Sequence, residues 1–181
     1  EQKREEFKQK IEDSRKELKT RMDSKKQELK DRLVKIKDEK KKATVEKIDG
    51  RLDALNAKRL EHFSEILEKL GAVMEKINVR VEKAVTKGLD VSAVRTAMTV
   101  ADAAIAASKA AIATQTAKTY TIAVTDEATL RQNVGVARQA LQTDLKAVEQ
   151  TVKDAREAVH SVATTLARVP RVNEVDTQST T

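Results

Sequence analysis

The sequence predicts an all-α protein, an elongated three-helix bundle or set of antiparallel helical hairpins with one very long first helix. Three observations support this class. Only four glycines and one proline interrupt 181 residues, 36% of the residues are charged, and aromatic residues make up 2%. Such a composition is typical of long helices and coiled coils. Apolar residues also recur at helical spacing along most of the chain.

The first helix opens on an eleven-residue repeat, EEFKQKIEDSR, KELKTRMDSKK and QELKDRLVKIK, at residues 5–37. An eleven-residue period corresponds to about 3.67 residues per turn, so the apolar stripe runs nearly straight along the helix. The stripe is too narrow for a membrane-surface helix, which needs a broad apolar face. It therefore predicts a seam for one partner helix. We define this partner-helix seam as Phe7, Ile11, Leu18, Met22, Leu29, Leu33 and Ile36.

The excess positive charge is confined to the N-terminal part of the chain. Residues 1–60 hold 21 Lys and Arg against 14 Asp and Glu, whereas residues 61–181 hold 15 of each. A column of lysines with the eleven-residue period is suited to an anionic polymer, either a nucleic acid or a cell-wall polymer. This anionic-partner face comprises Lys8, Lys19, Lys30 and Lys41. The alternative is a solvated surface of ion pairs, because a glutamate precedes a cation by four residues in each repeat.

The helical pattern continues without a proline, so the first helix is predicted to run from about Glu5 to Thr86. From Ile48 onward it carries two apolar stripes, which require two neighbouring helices. The preceding residues carry one stripe. We therefore predict that residues 1–47 project as a basic coiled-coil arm from a three-helix bundle formed by residues 48–168.

The stretch KGLDVSAV predicts the turn between the first and second helices. Gly88 suits the left-handed residue that ends a helix, and Asp90 or Ser92 can cap the next helix. The second helix is predicted from about Val91 to about Tyr120.

The stretch AKTYTIAVTDE predicts the next break, because its β-branched residues lose side-chain freedom in a helix. Thr125 and the two acids after it form a suitable helix N-terminus. The third helix is predicted from about Asp126 to Ala167. Residues 169–181 lack periodicity and are predicted to form a flexible tail.

The residues that usually perform catalysis or bind metals are scarce. The chain has no cysteine, and neither His62 nor His160 has partners at metal-ligand spacing. It also lacks a glycine-rich phosphate loop and a nucleophile elbow. We therefore predict no enzyme activity, no cofactor, no metal and no small-molecule substrate. No run approaches the ~18 apolar residues of a membrane span, so no integral membrane segment is expected.

One corner of the predicted bundle carries polar residues that suggest a site. Tyr120 is the only tyrosine, and Arg131 and Asn133 lie about one turn beyond the break. These residues would form a small polar recognition site, or Tyr120 would pack over the corner while the other two satisfy free carbonyl groups. We favour the second interpretation, because buried polar groups usually find such partners.

Four segments follow one another in a particular order. They are REEFKQKIEDSR, KKKATVEKIDGRLDALNAKRLEHFSEILEKLGAVMEKI, KGLDVSAV and AAIATQTAKTYTIAVTDEATLRQNVGVARQALQTDLKAVEQTVKDAREAVHSVA. In this order they resemble a family of uncharacterised helical proteins that is widespread in the ultrasmall bacteria of the candidate phyla radiation. The resemblance covers roughly residues 4–167, and members of the family usually carry a predicted signal peptide. It implies export and a periplasmic, cell-surface or extracellular setting, and it supplies no catalytic or binding residue.

These observations predict a non-enzymatic, exported structural or interaction protein, a spacer, scaffold or adhesion element at the cell envelope. Its expected partner is a second copy of itself or another helical protein. Two alternatives remain. The first is a holdase-like periplasmic chaperone whose basic arm clasps unfolded clients. The second is a protein that binds an anionic polymer through that arm.

Overall fold

A computed structural model describes residues 2–170 of the chain, with the side chains of residues 5, 6, 9, 12, 13, 16, 17 and 19–170. Over this range the protein is all-α, which confirms the predicted class. Its helices are α1 (Gln2–Leu33), α2 (Glu39–Thr86), α3 (Ser92–Thr116) and α4 (Leu130–Ala167). The predicted flexible tail lies outside the described residues from residue 171 onward.

The chain divides into two compact units. The first comprises Glu1–Glu65 and Lys109–Gln150, and the second comprises Ile66–Ser108 and Thr151–Thr181. Both units contain parts of α2, α3 and α4, whereas α1 belongs to the first alone. The boundary predicted at residue 47 therefore falls inside α2 and inside the first unit.

The structure divides the helix that was predicted from Glu5 to Thr86. α1 ends at Leu33, and the five residues VKIKD at 34–38 connect it to α2. The eleven-residue repeat also decays here, because the next two seam positions fall on Lys40 and Thr44. Beyond this point a straight continuation of the helix has no apolar seam to bury.

Asp38 immediately precedes α2 and caps its N-terminus. Its Oδ1 accepts hydrogen bonds from the backbone N–H groups of Lys40 and Lys41, at 2.9 and 3.1 Å. These N–H groups have no partner within the helix, so the side chain of Asp38 acts as an N-cap. The break thus depends on a capping aspartate, with no glycine or proline in the connection.

The predicted arm does not project as one helix, because α1 folds back onto α2 within the first unit. Lys25 on α1 pairs with Asp53 on α2, and Arg21 Nη1 donates a hydrogen bond to the carbonyl oxygen of Ala117 at 2.8 Å. Within the described side chains, the C-terminal half of the arm is therefore packed against its own chain. The physical reason is the connection at 34–38, which lets the chain reverse direction.

The turn between α2 and α3 forms as the sequence predicts. Gly88 has a φ of 72°, in the left-handed region. The N–H groups of Gly88 and Leu89 donate to the carbonyl oxygens of Val85 and Ala84, at 2.8 and 3.0 Å. This pair of bonds is the glycine-terminated helix end known as the Schellman motif.

Aspartates also precede α3 and α4. Asp90 Oδ1 accepts from the N–H of Ser92, and Asp126 Oδ1 accepts from the N–H of Thr129, each at 2.9 Å. These hydrogen bonds lower the pKa of both carboxyl groups, because they stabilise the charged forms. α4 begins at Leu130, four residues after the predicted start, because residues 126–129 form the capping turn.

Two glycine substitutions should change stability in opposite directions. Gly88→Ala should destabilise the protein by about 1 kcal/mol, because an L-residue at this positive φ is strained. Gly71→Ala should stabilise it by about 0.5–1 kcal/mol, because Gly71 lies inside α2 and an added Cβ meets nothing within 4 Å. Urea unfolding followed by circular dichroism measures both. Equal effects at the two positions would contradict the assigned helix end.

Most of the predicted apolar positions of the bundle are buried. In α4 the buried positions are Leu141, Leu145, Val148, Val152, Ala155, Val159, Val162 and Leu166. Three apolar residues that belong to the two stripes on α2 by their three-four spacing, namely Leu55, Val73 and Val85, are instead substantially exposed. The sequence stripes therefore locate the core well but overestimate its width on α2.

α3 is the one helix in the described part of the chain that is long and apolar enough to cross a membrane, by length and composition alone. No continuous apolar run suggested this in the sequence. Of the apolar 18-residue window in α3, 22% is buried, and α3 is a single such helix. The side chains of Val94, Ala101 and Ile112 on α3 are fully buried. The test is therefore weak evidence for a membrane span.

Candidate helix-pairing interface

One face of α1 supplies the contacts with α2. Met22, Lys25, Leu29 and Leu33 are spaced three or four residues apart, so they share a face of the helix. The seam residues Leu29, Leu33 and Ile36 are buried, and Met22 is half-buried. The side chains of the remaining seam residues, Phe7, Ile11 and Leu18, lie outside the described residues. The C-terminal half of the predicted partner-helix seam is thus occupied within the chain.

A buried charge cluster lies in the middle of this face. The Nζ of Lys25 is 2.9 and 3.1 Å from the two carboxylate oxygens of Asp53, and 3.1 Å from Asp49 Oδ1. Lys25, Asp49 and Asp53 are only 5%, 3% and 9% exposed. A helix shifted by one turn would leave these charges buried and unpaired, at a high free-energy cost. The cluster therefore sets the register of α1 on α2, as a buried polar residue does in a coiled coil.

The pairing leaves some buried polar atoms without hydrogen bonds. Asp49 Oδ1 is at ion-pair distance from Lys25, but its orientation makes no hydrogen bond. Arg32 Nη2 is also buried without a hydrogen-bond partner. Burial raises the pKa of the Asp49 carboxyl, and the attraction of Lys25 offsets this only in part. The interface therefore carries a desolvation cost that a purely apolar seam would avoid.

The sequence interpretation did not identify this cluster, although it contained a signal. Lys25 occupies an inward position between Met22 and Leu29, where an apolar residue would continue the three-four spacing. Asp49 and Asp53 lie four residues apart on α2, beside the apolar stripe that starts at Ile48. A buried lysine opposite two carboxylates one turn apart is a recognisable pattern, but the pairing requires knowledge that the chain reverses at 34–38.

The predicted lysine column does not form a single surface. Lys19 and Lys30 are exposed on α1, and Lys41 is exposed on α2 beyond the chain reversal. The side chain of Lys8 lies outside the described residues. Lys41 forms an ion pair with Glu127 at 2.5 Å, and this hydrogen bond raises the pKa of Lys41. The four lysines therefore do not follow one line along one helix.

A different group of cations surrounds a cleft between the beginnings of α2 and α4. Its volume is about 330 Å³. Val45, Ile48, Leu130 and Val134 form its apolar lining, and its polar lining is Lys40, Lys41, Thr44, Glu127 and Arg131. We call this the cationic cleft, because three cations accompany a single carboxylate.

Tyr120 is the centre of a buried hydrogen-bond network. Its hydroxyl donates to Asp144 Oδ2 at 2.6 Å and accepts from Gln115 Nε2 at 2.7 Å. Gln115 also donates to Asn56 Oδ1 at 3.0 Å. This network ties residues 117–129 to α2, α3 and α4. Tyr120 therefore packs within the first unit, as the favoured interpretation predicted.

The two other residues of the predicted corner site do not join Tyr120. Asn133 Nδ2 donates to the carbonyl oxygen of Ala123 at 2.9 Å, which satisfies a free backbone acceptor as expected. Arg131 is exposed and lines the cationic cleft. The structure thus assigns these residues to three different local roles.

The Tyr120 hydroxyl should titrate near pH 12. Burial, and then the hydrogen bond to Asp144, raise its pKa to about 12 from the usual 10.0. The folded state favours the neutral phenol, so this contribution to stability is complete below pH 10 and is lost between pH 10 and about 12. Absorbance at the phenolate band measures the titration without interference, because the chain has one tyrosine and no tryptophan.

The variant Asp144→Asn provides the comparison for this titration. It removes the carboxylate that opposes ionisation, so the Tyr120 pKa should move toward its usual value of 10.0. Glu149→Gln, on the same helix, should leave it unchanged. A midpoint at the usual value in the unmodified protein would contradict the buried network.

No group of three His, Cys, Asp or Glu side chains in the described part of the chain could hold a metal ion. His62 and His160 are both exposed. No protein-family model, curated protein or solved structure matches this chain.

Proposed function

We propose that this protein is a non-enzymatic interaction protein that pairs helices through the α1–α2 interface. It would act as a spacer, scaffold or adhesion element, with a second copy or another helical protein as its partner. The observation that supports this proposal is the buried charge cluster of Lys25, Asp49 and Asp53 inside the α1–α2 pair. Buried polar groups of this kind select one partner and one register among many apolar alternatives.

The setting we propose is the cell envelope or the extracellular space. This part of the proposal derives from the resemblance of residues 4–167 to exported helical proteins. The absence of cysteine is consistent with an oxidising compartment, where free thiols react. Fractionation of source cells with an antibody against the chain tests it. Recovery with cytoplasmic proteins alone would contradict the proposed setting.

A labelled α1 peptide tests whether the interface accepts a helix from outside the chain. The receptor is the full chain carrying Lys25→Glu, whose own α1 places a third carboxylate against Asp49 and Asp53. A peptide of residues 2–33 retains Lys25 and should bind this receptor saturably, as measured by fluorescence anisotropy. Use of the mispaired receptor matters, because an intact α1 would compete at a high effective concentration.

The matched control is the same peptide with Lys25→Glu, which should bind at least tenfold more weakly. A second control is Lys26→Glu, an exposed position whose substitution should change binding little. If the two substituted peptides bind equally well, recognition does not depend on the cluster. If no peptide binds, the interface serves only the internal fold and the proposal fails.

A second candidate function is the binding of an anionic polymer, and the cationic cleft favours it. Lys40, Lys41 and Arg131 line the cleft together with Glu127, which pairs with Lys41. Inorganic polyphosphate is a suitable probe. Its affinity should fall steeply with salt, because binding releases counterions, and should fall further in Lys40→Glu/Arg131→Glu than in the control Lys146→Glu. If the affinity for polyphosphate changes neither with salt nor with these substitutions, the cleft is not the binding site.

A further inference from the structure

The connection between α1 and α2 is unusual for a chain reversal. Its sequence, VKIKD, contains neither glycine nor proline, and every residue in it can adopt a helical conformation. Val34 is 75% exposed there, although it is an apolar residue. The N–H groups of Lys35 and Ile36 still donate to α1 carbonyl oxygens, at 3.5 and 3.0 Å. The reversal is held by the burial of Ile36, which is 2% exposed, by contacts elsewhere and by the cap at Asp38.

The register of the α1–α2 pair has a second property. Lys25 lies opposite Asp49 and Asp53. The residue midway between 25 and 49 is Lys37, and the residue midway between 25 and 53 is Glu39. Two uninterrupted helices placed antiparallel about a twofold axis near these residues would therefore place Lys25 of each copy at the same level along the pair as Asp49 and Asp53 of the other.

We propose that α1 exchanges between two copies of this chain. In the exchanged dimer residues 34–38 are helical, α1 and α2 form one helix, and α1 of each copy packs on α2 of its partner. The dimer reproduces the pairing seen within one chain, including the Lys25–Asp53 ion pair, so the two surfaces are complementary without any new recognition element. The inference rests on the proposed function, since it names a second copy as the helical partner.

One consequence favours the exchange. The helical connection gains backbone hydrogen bonds that the reversal lacks. The α1–α2 pairing is the same in both forms, including the incompletely bonded Asp49 and Arg32. The main free-energy cost of the exchanged dimer is therefore the entropy of association, so the dimer fraction rises with protein concentration.

A complementation experiment distinguishes exchange from ordinary dimerisation. The first full chain carries Lys25→Glu, and the second carries Asp49→Asn/Asp53→Lys. Each variant alone mispairs its own α1 and α2. In an exchanged heterodimer both pairings are compatible. Lys25 of the second chain meets the unmodified aspartates of the first, and the introduced glutamate of the first chain meets the introduced asparagine and lysine of the second.

The readouts are mass and thermal stability. Light scattering of the equimolar mixture should give twice the 20.1 kDa mass of one chain. The mixture should also have a higher melting temperature than either variant alone, because only the heterodimer pairs every charge of the cluster.

Glu39→Pro in the otherwise unmodified chain is the second test. Proline is tolerated at the first position of α2, where the N–H is not needed, but it breaks a helix that continues through 34–38. The dimer dissociation constant should rise at least a hundredfold, while Glu39→Ala should change it little. Circular dichroism of the monomer should remain helical.

Each outcome of these tests supports or overturns the exchange. Exchange is overturned if the mixture keeps the masses and melting temperatures of the two separate variants. It is also overturned if a dimer of the unmodified chain survives Glu39→Pro. Failure here with continued binding of the α1 peptide would leave the proposed function intact and assign the interface to a different helical partner. Failure of both would overturn the two together.

Discussion

Lys25→Met is expected to destabilise the protein by about 3–5 kcal/mol. The substitution removes the only cation that contacts Asp49 and Asp53 at ion-pair distance within the described residues, and it leaves two buried carboxylates side by side. Removing one partner of a buried ion pair has this cost because the remaining charge keeps its desolvation penalty. Urea unfolding at neutral pH, followed by circular dichroism, measures the change.

The pH dependence of this variant provides an internal check. Burial raises the pKa of the Asp49 carboxyl, and Lys25→Met removes the attraction of Lys25 that offsets this, so the native state binds protons more readily than the unfolded state. Stability of the variant must then rise as pH falls through the raised pKa of Asp49. The deficit of Lys25→Met relative to the unmodified protein should therefore shrink as the pH is lowered from neutral.

Two further variants complete the test. Lys26→Met changes an exposed neighbour and should alter stability by about 0.5 kcal/mol or less. The triple variant Lys25→Met/Asp49→Leu/Asp53→Leu removes the whole cluster and should recover most of the loss, because an apolar seam needs no compensation for desolvated charge. A deficit in Lys25→Met no larger than that in Lys26→Met would show that the cluster is not buried in solution.

Ile122→Ala is the second substitution with a large expected effect, about 2–5 kcal/mol. Ile122 is 0% exposed although it lies in the non-helical connection between α3 and α4. Its truncation would leave a cavity beneath residues 117–129, which the Tyr120 network holds in place and which cannot collapse freely. Urea unfolding measures the loss, and the slope of free energy against denaturant should remain unchanged.

Val136→Ala is the matched control, because this residue is 62% exposed and aliphatic. It should change stability by about 0.5 kcal/mol or less. A small effect of Ile122→Ala would mean that the connection between α3 and α4 is not packed against the helices of the first unit. In that case the Tyr120 titration should also be near normal, so the two measurements check each other.

The helical class and most helix ends could be predicted because they depend on local chemistry. Gly88 ends α2 through a backbone conformation that glycine adopts freely, and Asp90 and Asp126 bond to nearby N–H groups. The buried positions of α4 follow from three-four spacing. Each signal involves residues within a few positions of one another, so each can be recognised from the sequence alone.

The reversal at 34–38 was not predicted, because its residues are compatible with a continuous helix. Asp38 can cap a helix, but an aspartate inside a long charged helix is also ordinary. The decision depends on contacts across the chain, among them the pairing of Lys25 with Asp49 and Asp53. For the same reason the lysines at the eleven-residue spacing, Lys8, Lys19, Lys30 and Lys41, do not lie on one helix. Lys41 lies beyond the reversal, on α2.

The candidate interface shows the same division. Periodicity alone was sufficient to establish an all-α chain, its helical turns and an apolar seam on the first helix, because these are properties of neighbouring residues. Only the folded chain established that Leu29, Leu33 and Ile36 are buried against the same molecule, that Lys25 belongs to a charge cluster, and that Tyr120 bonds to Asp144. These facts require residues far apart in the chain to meet, such as Lys25 and Asp53 at 28 positions or Asn56 and Gln115 at 59. Such meetings are governed by packing and desolvation rather than by local propensity.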